Sequence, residues 1–266
     1  MHVHFLDPYR PRRSPVHSLD PRVKLVLAIA FLFSVALTPP GAWPAYLLLL
    51  ALVLSVEVLS ELGVRYVLKR SLLALPFVLA ALPVIFTAVG TPALELTLGP
   101  WSLTVTQPGL ERFLSIALKS WISVQAAVVL AASTSFPDLL LAMRAIHIPR
   151  LLVAIFSLMW RYLFVLVDEV LRLLRARAAR SGYPGDPALK TGGSLAWRAR
   201  VAGGMAGSLF LRAIERSDRI YMAMVSRGYD GEVRAMPMPE LRPFHWALLL
   251  SGLVLLALLL LVAYLF

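Results

Sequence analysis

The chain has 266 residues, 59% of them hydrophobic, and a mean hydropathy of +0.77. Those values exclude an ordinary soluble domain and point to an all-α polytopic membrane protein. With 26 Lys and Arg against 15 Asp and Glu the formal charge is +11, and the absence of cysteine excludes disulfides and thiolate metal sites.

Such a charge on a soluble protein would point to nucleic acid. Here the basic residues are confined to particular loops, which is the signature of loops retained on the cytoplasmic side of a bilayer. The expected partner is therefore lipid and not nucleic acid. The first apolar run begins near Val23 and continues without a small-residue cleavage site, so no cleavable signal peptide is expected.

A membrane-spanning helix needs about 20 mostly apolar residues. Val23–Thr38 is the first such segment, closed by Pro39-Pro40-Gly41. Trp43–Leu59 follows, with Glu57 near its inner edge. Leu72–Val89 is third, and Pro76 and Pro83 predict kinks in it. A stretch of alternating apolar residues (Leu94, Leu96, Leu98, then Leu103 and Val105 after Gly99-Pro100) fits a short outer hairpin or an irregular loop. Phe113–Ala132 is the fourth span, interrupted by Lys119, and Trp246–Phe266 is an uncharged fifth.

Leu151–Val167 is also apolar, but Arg161 sits in its middle. An arginine at the centre of a span costs about 3 kcal/mol on insertion scales. With five spans and an inner N-terminus, Arg10, Arg12, Arg13, Arg22, Lys24, Arg65, Lys69 and Arg70 all lie inside. So do sixteen basic residues from Arg144 to Arg242, leaving Arg112 and Lys119 as the exceptions. A sixth span would split these basic groups between the two sides. The reading is thus about five spans with a cytoplasmic insert of three helices between the fourth and fifth. Its divisions are residues 1–134 for four spans, 135–243 for the insert and 244–266 for the last span.

Within the insert, a short helix starts after Pro137 and ends at His147-Ile148-Pro149, and a long one runs from about Pro149 to Arg180. Its later half carries Asp168-Glu169 ahead of Arg172, Arg175, Arg177 and Arg180, a charge order that suits pairing one turn apart. Gly182, Pro184, Gly185 and Pro187 break the chain. A third helix is expected from about Leu195 to Arg227, with Gly203 and Gly207 spaced for close helix packing and Gly228 as its C-cap.

Both long helices end alike. One runs into Ala179-Arg180-Ser181-Gly182-Tyr183 and the other into Ser226-Arg227-Gly228-Tyr229. A C-terminal arginine favours the helix dipole by a few tenths of a kcal/mol, which would explain one such end. Two matching ends point to recognition, since the planar guanidinium can grip a carboxylate or a helix end on a partner.

The chain resembles the EcfT/CbiQ family, the transmembrane coupling component of energy-coupling factor importers. The resemblance rests on Leu19-Asp20-Pro21-Arg22-Val23-Lys24-Leu25 before the first span, on Trp160-Arg161-Tyr162 and Asp168-Glu169, and on Arg227-Gly228-Tyr229-Asp230-Gly231. It implies that two Ala-Arg-Gly motifs dock on two ATPase subunits. The matching residues are Ala179, Arg180 and Ser181 in the first motif and Ser226, Arg227 and Gly228 in the second. Because Gly182 falls one place late, Arg177 and Arg180 both stand as the first contact, with Arg180 favoured because it directly precedes the Ser-Gly break.

The resemblance is closest to the cobalt and nickel branch. It implies a separate substrate-binding membrane subunit, with or without a small accessory membrane protein, in a prokaryotic inner membrane. A vitamin importer, or a coupling subunit shared among substrates, is the alternative. The chain lacks a Gly-x-x-x-x-Gly-Lys-Ser/Thr phosphate loop, so ATP and magnesium belong to the partner ATPases and this subunit needs no cofactor. His2 and His4 near the N-terminus, and single His17, His147 and His245, form no metal-ligand pattern in the spans, so no metal site is expected here. An intramembrane enzyme would need paired catalytic groups, whereas the spans hold only isolated Glu57 and Lys119.

Overall fold

The computed structural model describes residues 8–87, 91–98, 101–180, 194–231 and 240–265. Its contacts divide the chain into two units: Asp7–Ile146 with Met238–Phe266, and a second containing His147–Pro237.

The first unit opens with a helical turn, α1 (Pro15–Ser18), and continues into α2 (Pro21–Leu37). The Asp20 carboxylate caps α2 by accepting from the Arg22 amide at 2.9 Å, and Pro21 occupies the first turn, where its missing N–H costs nothing. α2 and α3 (Trp43–Leu59) have 17 residues each, about 25 Å of helix and just under a bilayer core. Between them Gly41 takes φ +89, and Tyr46 Oη donates to the Pro39 carbonyl at 2.9 Å.

The third span begins earlier than its apolar run implies. α4 (Val64–Ser71) leads into a 3-10 turn (Leu72–Ala74), then α5 (Leu75–Ala80) and α6 (Val84–Thr87). The breaks follow the prolines. Pro76 cannot donate to Leu72, and its ring crowds that carbonyl, so the turn before it tightens. Before Pro83 the Leu79 carbonyl is taken by the Leu82 amide at 3.1 Å. The hairpin is present as β1 (Pro92–Leu98) antiparallel to β2 (Trp101–Thr106), with Leu96 opposite Leu103.

α7 (Gln107–Ser133) is the central helix and touches α2, α3, α4, α5 and α6. Val35, Phe31, Leu49, Val53, Ile122, Ala126 and Leu256 form the main apolar core. α7 starts close to α6: a Cβ on Gly109 would lie 2.5 Å from the Ile85 carbonyl oxygen. Backbone cannot swing aside as a side-chain tip can. Gly109→Ala is therefore expected to cost about 1–3 kcal/mol, visible as a lower thermal midpoint of the detergent-solubilised protein, and an unchanged midpoint would refute the contact.

α8 (Phe136–Ala145) packs on α2, and α11 (Pro243–Leu265) runs beside α2 in the same sense. Gly252 sits against Leu27, and Tyr264 Oη reaches the Leu37 carbonyl at 3.1 Å. α8 thus belongs with the spans, and the contact division falls after Ile146 where the sequence reading opened its insert at residue 135.

These contacts put the starts of α2, α4 and α11 and the ends of α3 and α7 at one end of the unit. Arg10, Arg22, Lys24, Arg65, Lys69 and Arg70 gather there, while Arg112 stands at the other end beside Glu111.

The second unit holds two helices of 31 residues, α9 (Arg150–Arg180) and α10 (Leu195–Val225). By length and composition Val64–Phe86, α7, α9 and α11 could each cross a membrane, with α3 a shorter apolar helix. α9 meets that measure despite Arg161, which is exposed at its middle.

Candidate functional site

α9 and α10 pair in opposite senses. Arg212 Nη1 on α10 donates to Glu169 Oε1 on α9 at 2.8 Å, and Arg177, further along α9, lies 5.9 Å from the ring centroid of Trp197, nearer the start of α10. The end of α9 is therefore close to the beginning of α10. Arg227 lies about 45 Å beyond Trp197 along the helix axis, at 1.5 Å per residue. The two arginine ends are thus far apart and point in opposite directions.

The α10 end is a complete stop signal. The Gly228 amide donates to the Val225 carbonyl at 2.9 Å and the Tyr229 amide to Met224 at 3.0 Å, the paired bonds of a Schellman turn. That turn requires a left-handed residue, and Gly228 supplies it at φ +79. Arg227 is left on the rim of the turn with its side chain exposed, and Ser226 bonds back to the Ala223 carbonyl at 3.0 Å. At the other end Ala179 and Arg180 close α9 and are exposed, while Arg177 is half-buried against Trp197. Ser181 and Gly182 lie outside the described residues.

Gly203 and Gly207 do not bring helices together within this chain. Both are exposed, and a Cβ added at either would meet nothing within 4 Å. The half-buried stripe of α10 is instead Val201, Met205, Leu209, Ala213, Arg216, Ile220 and Met224. Two residues along a helix turn about 200°, so the glycines occupy the opposite face. Phe210, Leu211, Ile214, Tyr221 and Met222 are also exposed on this helix, which leaves apolar surface for a partner or lipid to cover.

Glu169 joins the two helices. Its side chain is 14% exposed and is shared by Arg212 and by Arg172, whose Nη1 stands 4.0 Å away. Sequence reasoning saw only pairing along α9; the cross-helix contact has no local signal. Both arginines are well exposed, so solvent screening limits the pair with Arg212 to about 1 kcal/mol. Glu169→Ala is expected to speed amide exchange where α9 and α10 meet, and to make a following Arg212→Ala nearly neutral. Additive effects of the two would refute the coupling.

Three polar groups in the spans were also underread. Lys24 Nζ is buried and donates to the His17 carbonyl at 3.3 Å and the Ser133 carbonyl at 3.1 Å, tying the start of α2 to the end of α7. Glu57 and Gln125 are fully buried between the apolar clusters of α3 and α7, and among the described residues neither side chain has a hydrogen-bond partner. His17 is held by Ser14 Oγ at 2.7 Å and the Arg10 carbonyl at 3.0 Å, and burial pushes its imidazole below the ordinary value. Among the described residues no three of His, Asp and Glu gather as metal ligands; His2 and His4 lie outside them.

The family described as "CbiQ: Cobalt transport protein" matches residues 12–238, most of the chain. An uncharacterized protein of Methanocaldococcus jannaschii is 26% identical, covering 97% of this chain and 86% of its own length. The energy-coupling factor transporter transmembrane protein EcfT of Listeria innocua is 27% identical over 85% of this chain and 84% of its own. The cobalt transport protein CbiQ of Salmonella typhimurium is 28% identical over 60% of this chain and 70% of its own. The family match over most of the chain, together with these relatives, shows that the chain belongs to the CbiQ/EcfT family of membrane components of energy-coupling factor transporters.

Proposed function

We propose that the chain is the transmembrane coupling subunit of an energy-coupling factor importer, passing ATP-driven motion from two ATPase subunits to a substrate-binding membrane subunit. The observation that supports this most is the separation of Arg180 and Arg227 at opposite ends of the α9–α10 pair. Such a spacing suits one arginine on each of two motor subunits better than a shared small groove. Arg180 is the first contact in this reading, because Arg177 is already engaged with Trp197. The basic end of the spans and the N-terminus face the cytoplasm, following the positive-inside pattern. The subunit itself performs no catalysis.

The proposed cargo is a cobalt or nickel ion, held by the partner subunit. A second reading, a vitamin importer or a coupling subunit shared among substrates, is favoured by relatives named EcfT covering 85% and 90% of this chain against 60% for the Salmonella CbiQ. Uptake of labelled cobalt and nickel by cells producing this chain with its ATPases and substrate subunit separates the two. Metal accumulation that needs this chain supports the first reading, and its absence beside vitamin uptake overturns it.

A further inference from the structure

On α4, Arg65, Leu68, Lys69 and Leu72 are spaced one turn apart and share one face, and with Trp121 of α7 they line an open groove of about 620 Å³. The opposite face of α4 is spent on packing: Val67, Ser71 and Ala74 are buried. Tyr66 and Arg70 are engaged elsewhere, with the guanidinium of Arg10 3.8 Å and that of Arg70 4.9 Å from the Tyr66 ring centroid. Arg65 and Lys69 are different. Both are exposed, and among the described residues neither is joined to a carboxylate.

The groove is polarised along its length. Its two cations stand near the basic end of the unit, where α4 begins. Leu72 lies about 10 Å further along α4, and Trp121 stands about 18 Å before the end of α7. The apolar wall therefore runs from the headgroup level into the hydrocarbon depth. Free phosphate would satisfy the cations and leave the wall of Leu68, Leu72 and Trp121 unused. A neutral lipid would use the wall and leave two cations without an anion.

We propose that this groove binds an anionic glycerophospholipid, its phosphate between Arg65 and Lys69 and one acyl chain along Leu68, Leu72 and Trp121. Each basic residue near an anionic membrane surface favours binding, so removing both weakens retention about tenfold or more.

The test is native mass spectrometry of the full chain extracted from vesicles containing equal phosphatidylglycerol and phosphatidylcholine. Wild type is expected to retain one phosphatidylglycerol. Arg65→Gln with Lys69→Gln should lose it, while Arg12→Gln with Arg13→Gln, an equal charge change outside the groove, should not. Leu72→Gln should lower lipid retention with both cations intact. Equal loss in the two charge pairs, equal retention of phosphatidylcholine, or displacement by millimolar inorganic phosphate would each overturn the proposal. Protection of the groove by the substrate subunit in the assembled complex, with no lipid retained, would do the same.

Discussion

Arg227→Glu is expected to abolish stable capture of the ATPase pair in detergent, and Arg180→Glu to weaken it severely. Charge reversal replaces attraction with repulsion at a contact whose charge-assisted bonds contribute about 1.5–3 kcal/mol each, so each change should lower affinity by about 100-fold or more. The reason for ranking Arg227 first is its frame. The Schellman turn around Gly228 holds it at a defined rim position, whereas Ser181 stands where a glycine would directly follow Arg180. Co-purification with the tagged ATPases reads the result, and substrate uptake should fall in parallel. Both side chains are exposed and the turn that closes α10 uses backbone bonds only, so the membrane subunit should remain folded, and retained assembly in both would sink the docking assignment.

Lys24→Met is expected to be the most destabilising single change in the spans. It leaves the buried Ser133 carbonyl and the partly buried His17 carbonyl without their shared cation. A buried acceptor stripped of its donor costs about 1–3 kcal/mol. A total near 3 kcal/mol corresponds to a thermal midpoint lower by roughly 6–12 °C for a chain of this size. Lys24→Arg should recover part of that loss, because a donor would still reach the same end of α7. A midpoint equal to wild type in Lys24→Met would show that the two carbonyls find other partners.

Local features of this fold were legible because local chemistry sets them. The span Trp43–Leu59 and the helix starting at Leu195 have the boundaries their apolar pattern and caps imply, and Gly228 closes α10 as a glycine in that position should. The alternation around Gly99-Pro100 left a hairpin and an irregular loop both open, and β1 and β2 form the hairpin. What failed to show was long-range. α4 begins eight residues before its apolar run because Arg65, Lys69 and Arg70 face outward on a helix whose other side is buried. The short helix α8 reads as part of a polar insert, yet it packs on α2. The Gly203 and Gly207 spacing matched a packing motif, but the stripe that α10 half-buries lies on the other side. The opposite running of α9 and α10 came only from Glu169–Arg212 and Arg177–Trp197, pairs too far apart in sequence for local chemistry to link them.

The carboxylate of Glu169, shared across the two helices, has a mechanical meaning. Treated as a fulcrum, it leaves eleven residues of α9 to Arg180, and fifteen residues of α10 separate Arg212 from Arg227, arms of about 16 and 22 Å. A given swing about that point moves the Arg227 tip roughly a third further than the Arg180 tip.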